Sequence, residues 1–155
     1  MNSTATALTL EWRRFAGLSA PLLYKVLQFR QEIFVVEQRC AYPDLDDRDQ
    51  CAAHLLLRIG GELAGYLRLI ASSDGARVAI GRVAVGAGRR GHGFARHMIQ
   101  EALARCRRDH PERTVCLTAQ TYLVPFYESF GFHTTSAPFD DYGLEHVEMV
   151  LAEVR

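Results

Sequence analysis

Val83-Ala84-Val85-Gly86-Ala87-Gly88-Arg89-Arg90-Gly91-His92-Gly93-Phe94-Ala95 runs from an apolar, strand-like segment through four glycines in eight residues and into a helix. On that helix Phe94, Ala95, Met98, Ile99, Ala102, Leu103 and Cys106 form one apolar face up to about Asp109, and Pro111 stops it. Arg96, Glu101, Arg105 and Arg108 lie mostly outside that face. A helix start exposes unpaired N–H groups and partial positive charge, and glycines let the backbone curl round an anion without side-chain clash. A pyrophosphate is the natural guest, and Arg82, Arg89, Arg90 and Arg96 add positive charge around the same loop. The pattern is neither the GxGxxG dinucleotide fingerprint nor a P-loop, because no Gly-Lys-Ser/Thr follows. By spacing alone, a plain glycine-rich turn stays open as the other reading.

Upstream of the loop, Leu8–Phe15 reads as a strand, and Pro21–Glu37 as a helix with Ser19 and Pro21 as its start signal. A polar, aspartate-rich loop spans Gln38–Gln50. Ala53–Ile59 and Glu62–Ile70 flank Gly60-Gly61 as a hairpin, and Val78–Val85 follows the Ser72–Gly75 turn as a third strand of that meander. Downstream, Val115–Ala119 reads as a short buried strand and Leu123–Phe130 as a short helix capped by Gly131. Phe132–Thr135 and His146–Leu151 read as closing strands around a turn carrying Pro138, Asp140, Asp141 and Gly143. The sum is a mixed α/β single domain covering 1–155.

Composition narrows the function classes. Eighteen basic and eighteen acidic residues cancel, which argues against nucleic-acid binding by bulk charge. Apolar stretches fall far short of the roughly 17–25 residues that cross a bilayer, and Met1–Leu10 has no signal-like pattern, so no membrane association and a cytoplasmic location are expected. Cys40, Cys51, Cys106 and Cys116 are widely spaced with no CxxC pair, so neither disulfides nor a metal site are expected. Two acidic clusters, Asp44, Asp46, Asp47 and Asp49 and then Asp140, Asp141, Glu145 and Glu148, suggest a cationic partner.

Three motifs in order carry a resemblance. Val83-Ala84-Val85 with Arg90-Gly91-His92-Gly93-Phe94-Ala95 resembles the acetyl-CoA-binding motif of the GNAT acyltransferase superfamily, Arg/Gln-x-x-Gly-x-Gly/Ala. Phe126-Tyr127-Glu128-Ser129-Phe130-Gly131-Phe132 resembles its Phe-Tyr-x-x-x-Gly-Phe segment. Phe34-Val35-Val36-Glu37-Gln38, Ile80-Gly81-Arg82-Val83 and Ala119-Gln120 are similar to the ElaA-like branch. The resemblance implies the GNAT fold: a mostly antiparallel twisted sheet of six or seven strands, splayed between the fourth and fifth and flanked by about four helices.

It also implies acetyl-CoA as co-substrate, without a metal, and an N-acetyl transfer to a primary amine of a small molecule or peptide, with a homodimer as one assembly option. Val83, Ala84, Val85, Arg90, Gly91, His92, Gly93, Phe94, Ala95 and Gln120 would then hold the cofactor. Tyr127 occupies the general-acid position, and Glu37 leads the candidates for the base, with Asp44, Asp46, His54, His146 and a water chain as rivals. Gln38, Arg82, Tyr122 and His146 would meet the acceptor. Tyr127 also reads as a core aromatic, and His54 as a satisfied core histidine. A CoA-binding sensor without turnover is the alternative from another class; a nucleotide-phosphate binder would need an acidic or magnesium-binding residue after the loop, and none follows.

Overall fold

The computed structural model describes residues 7–153. Its elements are β1 (Leu8–Arg14), α1 (Ala20–Gln31), β2 (Ala53–Ile59), β3 (Glu62–Ala71), β4 (Arg77–Val85), α2 (Phe94–Asp109), β5 (Thr114–Gln120), α3 (Val124–Glu128), β6 (Phe132–Thr134), β7 (Phe139–Asp141) and β8 (Leu144–Leu151). Helix α1 opens with Ser19 Oγ accepting from the Leu22 N–H, the cap expected from the sequence. It then widens into a π turn over Glu32–Glu37, where the Gln38 N–H bonds to the Ile33 carbonyl. Gly60 and Gly61 both have positive φ in the β2–β3 turn, the conformation a two-residue hairpin demands.

The sheet order is β1-β2-β3-β4-β5-β8-β6, with β7 also paired to β8. Neighbours are antiparallel except β4 and β5. Among the described residues there are eight strands rather than six or seven. Phe139–Asp141, expected as part of a turn, pairs with His146–Leu144, and the turn shrinks to Tyr142-Gly143, both at positive φ. The helices number three among the described residues, not about four, and the π turn lengthens the first.

Two apolar cores lie on opposite faces of the sheet. Leu55, Leu57, Leu67, Leu69, Val78 and Ile80 pack against Met98, Ile99 and Ala102 of α2. Strand β3 approaches α2 so closely at Gly65 that an added Cβ would lie 2.9 Å from Met98 Sδ. On the other face Leu56 and Tyr66 pack against Val26 of α1.

Beside this second core lies a buried ionic cluster. Arg30 is 0% exposed; its Nε donates to Asp44 Oδ2 (3.0 Å) and its Nη1 to Asp49 Oδ1 (2.7 Å). Arg68 donates to the same Asp49 oxygen (2.8 Å) and to Asp46, and Arg82 reaches Asp44 (2.8 Å). Three arginines therefore face three aspartates. Most of the first acidic run is not presented to a cationic partner: Asp44, Asp46 and Asp49 are paired with arginines, and Asp47 alone of the four is exposed.

His54 closes the cluster. Its Nε2 donates to the Asp49 carbonyl (2.9 Å), which leaves Nδ1 to accept from the Tyr66 hydroxyl (2.6 Å). Burial first, with Arg30 and Arg68 adding to it, lowers the His54 pKa. A lowered histidine pKa means the unfolded chain binds the proton more strongly, so stability falls as pH drops through about 6.5. For Asp46 and Asp49 burial opposes ionisation but the arginine hydrogen bonds outweigh it, taking Asp46 to about 2. Their contribution is present above the unfolded carboxylate pKa of about 3.9 and lost below it. Thermal denaturation should therefore show a midpoint falling from about pH 7 to about pH 5.5, and falling further below about pH 4; a midpoint that rises on acidification would contradict the assigned His54 state.

Candidate active site

Strands β4 and β5 pair only from Arg77 and Thr114 to Ile80 and Leu117. Beyond that register they diverge. The divergence starts at a bulge: the β3–β4 pairing skips between Tyr66 and Arg68, and Arg82 sits at φ +53. Such a backbone costs a non-glycine residue about 1–3 kcal/mol and persists where the surroundings enforce it. Here Asp44 and Asp46 hold the Arg82 guanidinium, which also lies over the Tyr42 ring, 5.3 Å from its centroid. The Gly86 N–H bonds to the Ala64 carbonyl on β3 (2.9 Å), so strand alternation turns the backbone groups of Val85 and Val83 to the open side.

Two adjoining cavities occupy the divergence. The first is lined by Val83–Val85, Arg90, Gly91, Gly93, Phe94 and Ala95, together with Glu37, Gln120 and Tyr122. The second, about 150 Å³, is lined by Arg82, Gln38, His146, Tyr42, Cys40 and Tyr142 among others. Phe34, Gln38, Val83, Gln120, Leu123 and Tyr127 form the wall common to both. An ideal Cβ at Gly91 (φ +81) or Gly93 (φ +79) meets nothing within 4 Å, so the top of the glycine loop is open. Gly93 caps α2 without any side-chain acceptor, leaving the first-turn N–H groups available to an anion.

The geometry sorts the residues singled out in the sequence. Of the cofactor set, all but His92 line the first cavity; His92 is exposed and packs on Phe94 at 5.8 Å. Of the acceptor set, Gln38, Arg82 and His146 line the second cavity, whereas Tyr122, 71% exposed, lines the first. Gln120 Nε2 donates to Gln38 Oε1 at 3.3 Å across the shared wall. Glu37 accepts two hydrogen bonds from Arg90, whose Nε also donates to the Val85 carbonyl (3.0 Å). The Arg90 contact holds the Glu37 carboxyl below its ordinary pKa. Asp44, Asp46 and His54 lie in the ionic cluster and line neither cavity.

A sequence model of the "Acetyltransferase (GNAT) domain" matches residues 23–153. The chain is 36% identical over 145 residues to Protein ElaA of Escherichia coli, covering 90% of this chain and 95% of the relative. The chain belongs to the GNAT acetyltransferase family. Its fold agrees with that of the ElaA crystal structure, with a TM-score of 0.89 at 34% identity over 94% of this chain and all of that one. An acyl-CoA N-acyltransferase from Pseudomonas aeruginosa follows at 0.86 and 31% identity, with coverage of 94% and 100%. A GNAT acetyltransferase from Elizabethkingia anophelis with acetyl-CoA bound shares the fold at a TM-score of 0.64 and 14% identity, with coverage of 93% and 97%.

Within this GNAT frame the Tyr127 ring is held by aromatic neighbours. Phe126 and Phe132 meet its ring edge-on at 5.1 and 6.1 Å, and it is 6% exposed. Its hydroxyl has no hydrogen-bond partner among the described residues, yet it is not a sealed orphan, so it opens into the cavities. Burial pushes its pKa up to about 12. Arg96 joins α3 to the glycine-loop end of α2 by donating to Ser129 Oγ (3.0 Å) and lying 4.7 Å from the Phe130 ring centre.

Sequence reasoning passed over Tyr42, Tyr142 and Leu144, which line the second cavity; Cys40 was weighed only as a disulfide or metal candidate, and Asp141 only as part of an acidic cluster. None sits in a periodic pattern. Only the Tyr142-Gly143 pair, readable as a two-residue hairpin turn, carried a usable signal. Among the described residues no helix is long and apolar enough to cross a membrane, and no group of three metal-ligating side chains occurs.

Proposed function

We propose that the chain is an acetyl-CoA-dependent N-acetyltransferase acting on a primary amine of a small molecule or peptide, with both substrates bound together. The observation that carries this reading is the single tyrosine hydroxyl opening onto the wall shared by two cavities at the β4–β5 divergence. The residues fit the co-substrate. The open cradle over Gly91 and Gly93 suits a pyrophosphate, with Arg89, Arg90 and Arg96 around it. The outward backbone of Val83 and Val85 suits an extended amide-bearing arm. When bound, acetyl-CoA supplies the thioester acyl group.

On this reading the Val83 N–H would stabilise the developing oxyanion, a contribution worth roughly 3–4 kcal/mol at such sites. Tyr127, protonated throughout the neutral range, donates to the leaving sulfur. A Tyr127→Phe variant is expected to lower kcat about 100-fold while acetyl-CoA affinity stays within about twofold. An unchanged rate would remove the general-acid role.

Calorimetric titration with acetyl-CoA, run beside a free-thiol assay over a panel of amines, tests the whole reading. Binding with thiol release on one amine class is the expected result. Binding without release from any amine would favour a CoA-sensing module of the same fold, and no binding would overturn the cofactor site.

A further inference from the structure

We infer that His146, at the start of β8, is the general base that deprotonates the acceptor amine; the inference rests on the N-acetyltransferase reading above. Its Nδ1 lies 2.8 Å from the Leu144 carbonyl. A carbonyl can only accept, so Nδ1 carries the proton and Nε2 keeps its lone pair. Nε2 has no hydrogen-bond partner among the described residues, and it is not buried away from solvent either. His146 lines the second cavity.

The sheet fixes the ring from both sides. His146 is directly opposite Gln120 on β5 and Phe139 on β7, and paired residues of antiparallel strands share a face. Phe139 stacks on the imidazole at 6.2 Å and 27°. Gln120 and Tyr127 belong to the common wall, so His146 stands beside the partition between the two cavities, on the acceptor side.

Every side-chain rival is engaged elsewhere. Glu37 is bound twice by Arg90 and lines the cofactor cavity. Asp44 and Asp46 are paired with buried arginines, and both ring nitrogens of His54 are used. The titratable and charged groups sharing the cavity with His146 are Cys40, Tyr42, Arg82, Tyr127, Asp141 and Tyr142. Arg82 is neutralised by Asp44 and Asp46, and Asp141 lies at the exposed turn. Glu145 and Asp140 pair on the opposite face of the β7–β8 hairpin, away from the ring.

The proton accounting closes with these groups. An ammonium acceptor gives one proton to Nε2, and its nitrogen then bonds to the thioester carbonyl carbon. The C–S bond breaks, and the leaving sulfur takes the Tyr127 phenolic proton. The phenolate recovers a proton from the newly acylated nitrogen, and the imidazolium releases its own to solvent. One amide, one thiol and one proton result.

Two measurements test the assignment. Long-range nitrogen NMR of the imidazole should show the Nδ1–H tautomer; an Nε2–H tautomer in the neutral ring would overturn the proposal. His146→Asn keeps a donor for the Leu144 carbonyl but places no acceptor at the Nε2 position. This variant should lose about 100-fold in kcat with acetyl-CoA affinity unchanged. Its pH–rate profile should also lack the acid-side limb, which Glu37→Gln should retain. If the wild-type protein transfers acetyl and His146→Asn keeps that limb, the base assignment alone falls. If the wild-type protein transfers acetyl to no amine, the N-acetyltransferase reading falls and takes the assignment with it.

Discussion

Replacing Gly93 by glutamate is expected to raise the dissociation constant for acetyl-CoA at least about 100-fold, equivalent to about 2.7 kcal/mol. Two costs add. Gly93 holds φ +79, which strains any other residue by about 1–2 kcal/mol. The second cost is electrostatic and steric: nothing within 4 Å resists a Cβ at this position, so the new side chain enters the space offered to the pyrophosphate. A carboxylate there opposes the phosphates in both charge and volume. Gly93→Ala separates the two, since it carries the strain without the charge, and about a tenfold loss is expected. Calorimetry on the folded variants decides the matter. Wild-type affinity in Gly93→Glu would mean that the phosphates bind elsewhere.

The second large effect is on stability. Asp49→Ala leaves Arg30 and Arg68 sharing the cluster with one carboxylate fewer, so a net positive charge is stranded where Arg30 is 0% and Arg68 3% exposed. Breaking a buried pair from one side costs about 3–5 kcal/mol. For a chain of this size that lowers the melting midpoint by on the order of 10 °C. Arg30→Met strands a charge of the opposite sign in the same place, and combining it with Asp49→Ala restores the balance between arginines and aspartates. The double variant should therefore lose less than the sum of the two single losses, and comparing the three midpoints is the measurement. A double loss equal to that sum would show that the charge balance is not what holds this region.

What could be read from the sequence follows from which signals are local. Helix α2 was readable end to end because its apolar face repeats and a glycine loop and a proline bound it. The β2–β3 hairpin was readable because two adjacent glycines have few other uses. Strand β7 was hidden, since Pro138, Asp140, Asp141 and Gly143 announce a turn, and only pairing with β8 makes Asp140 and Asp141 extended. Arg30 was hidden for a different reason. A charged residue on a helix is ordinarily solvated, and its partners lie 14 and 19 positions away in a loop with no periodicity. The glycine loop was legible because four glycines lead directly into a helix, and Tyr127 was singled out only through the resemblance of its segment. Of the wall around His146, Gln38, Arg82 and Gln120 were named and Tyr42, Tyr142 and Leu144 were not, because that wall is assembled from five separate segments.

The ionic cluster also inverts the usual expectation about where this protein tolerates change. Residues 43–49 have almost no regular structure, and such segments ordinarily accept insertions and drift. Here three of their side chains hold α1, β3 and the β4 bulge together, so the segment behaves as core by charge. The β7–β8 turn at Tyr142-Gly143 takes no part in that ionic cluster, yet Asp141, Tyr142 and Leu144 line the cavity proposed for the acceptor. Diversification of acceptor preference is therefore cheap at that rim and costly in the aspartate-rich loop, so an evolving or engineered lineage should accumulate its changes at the hairpin tip.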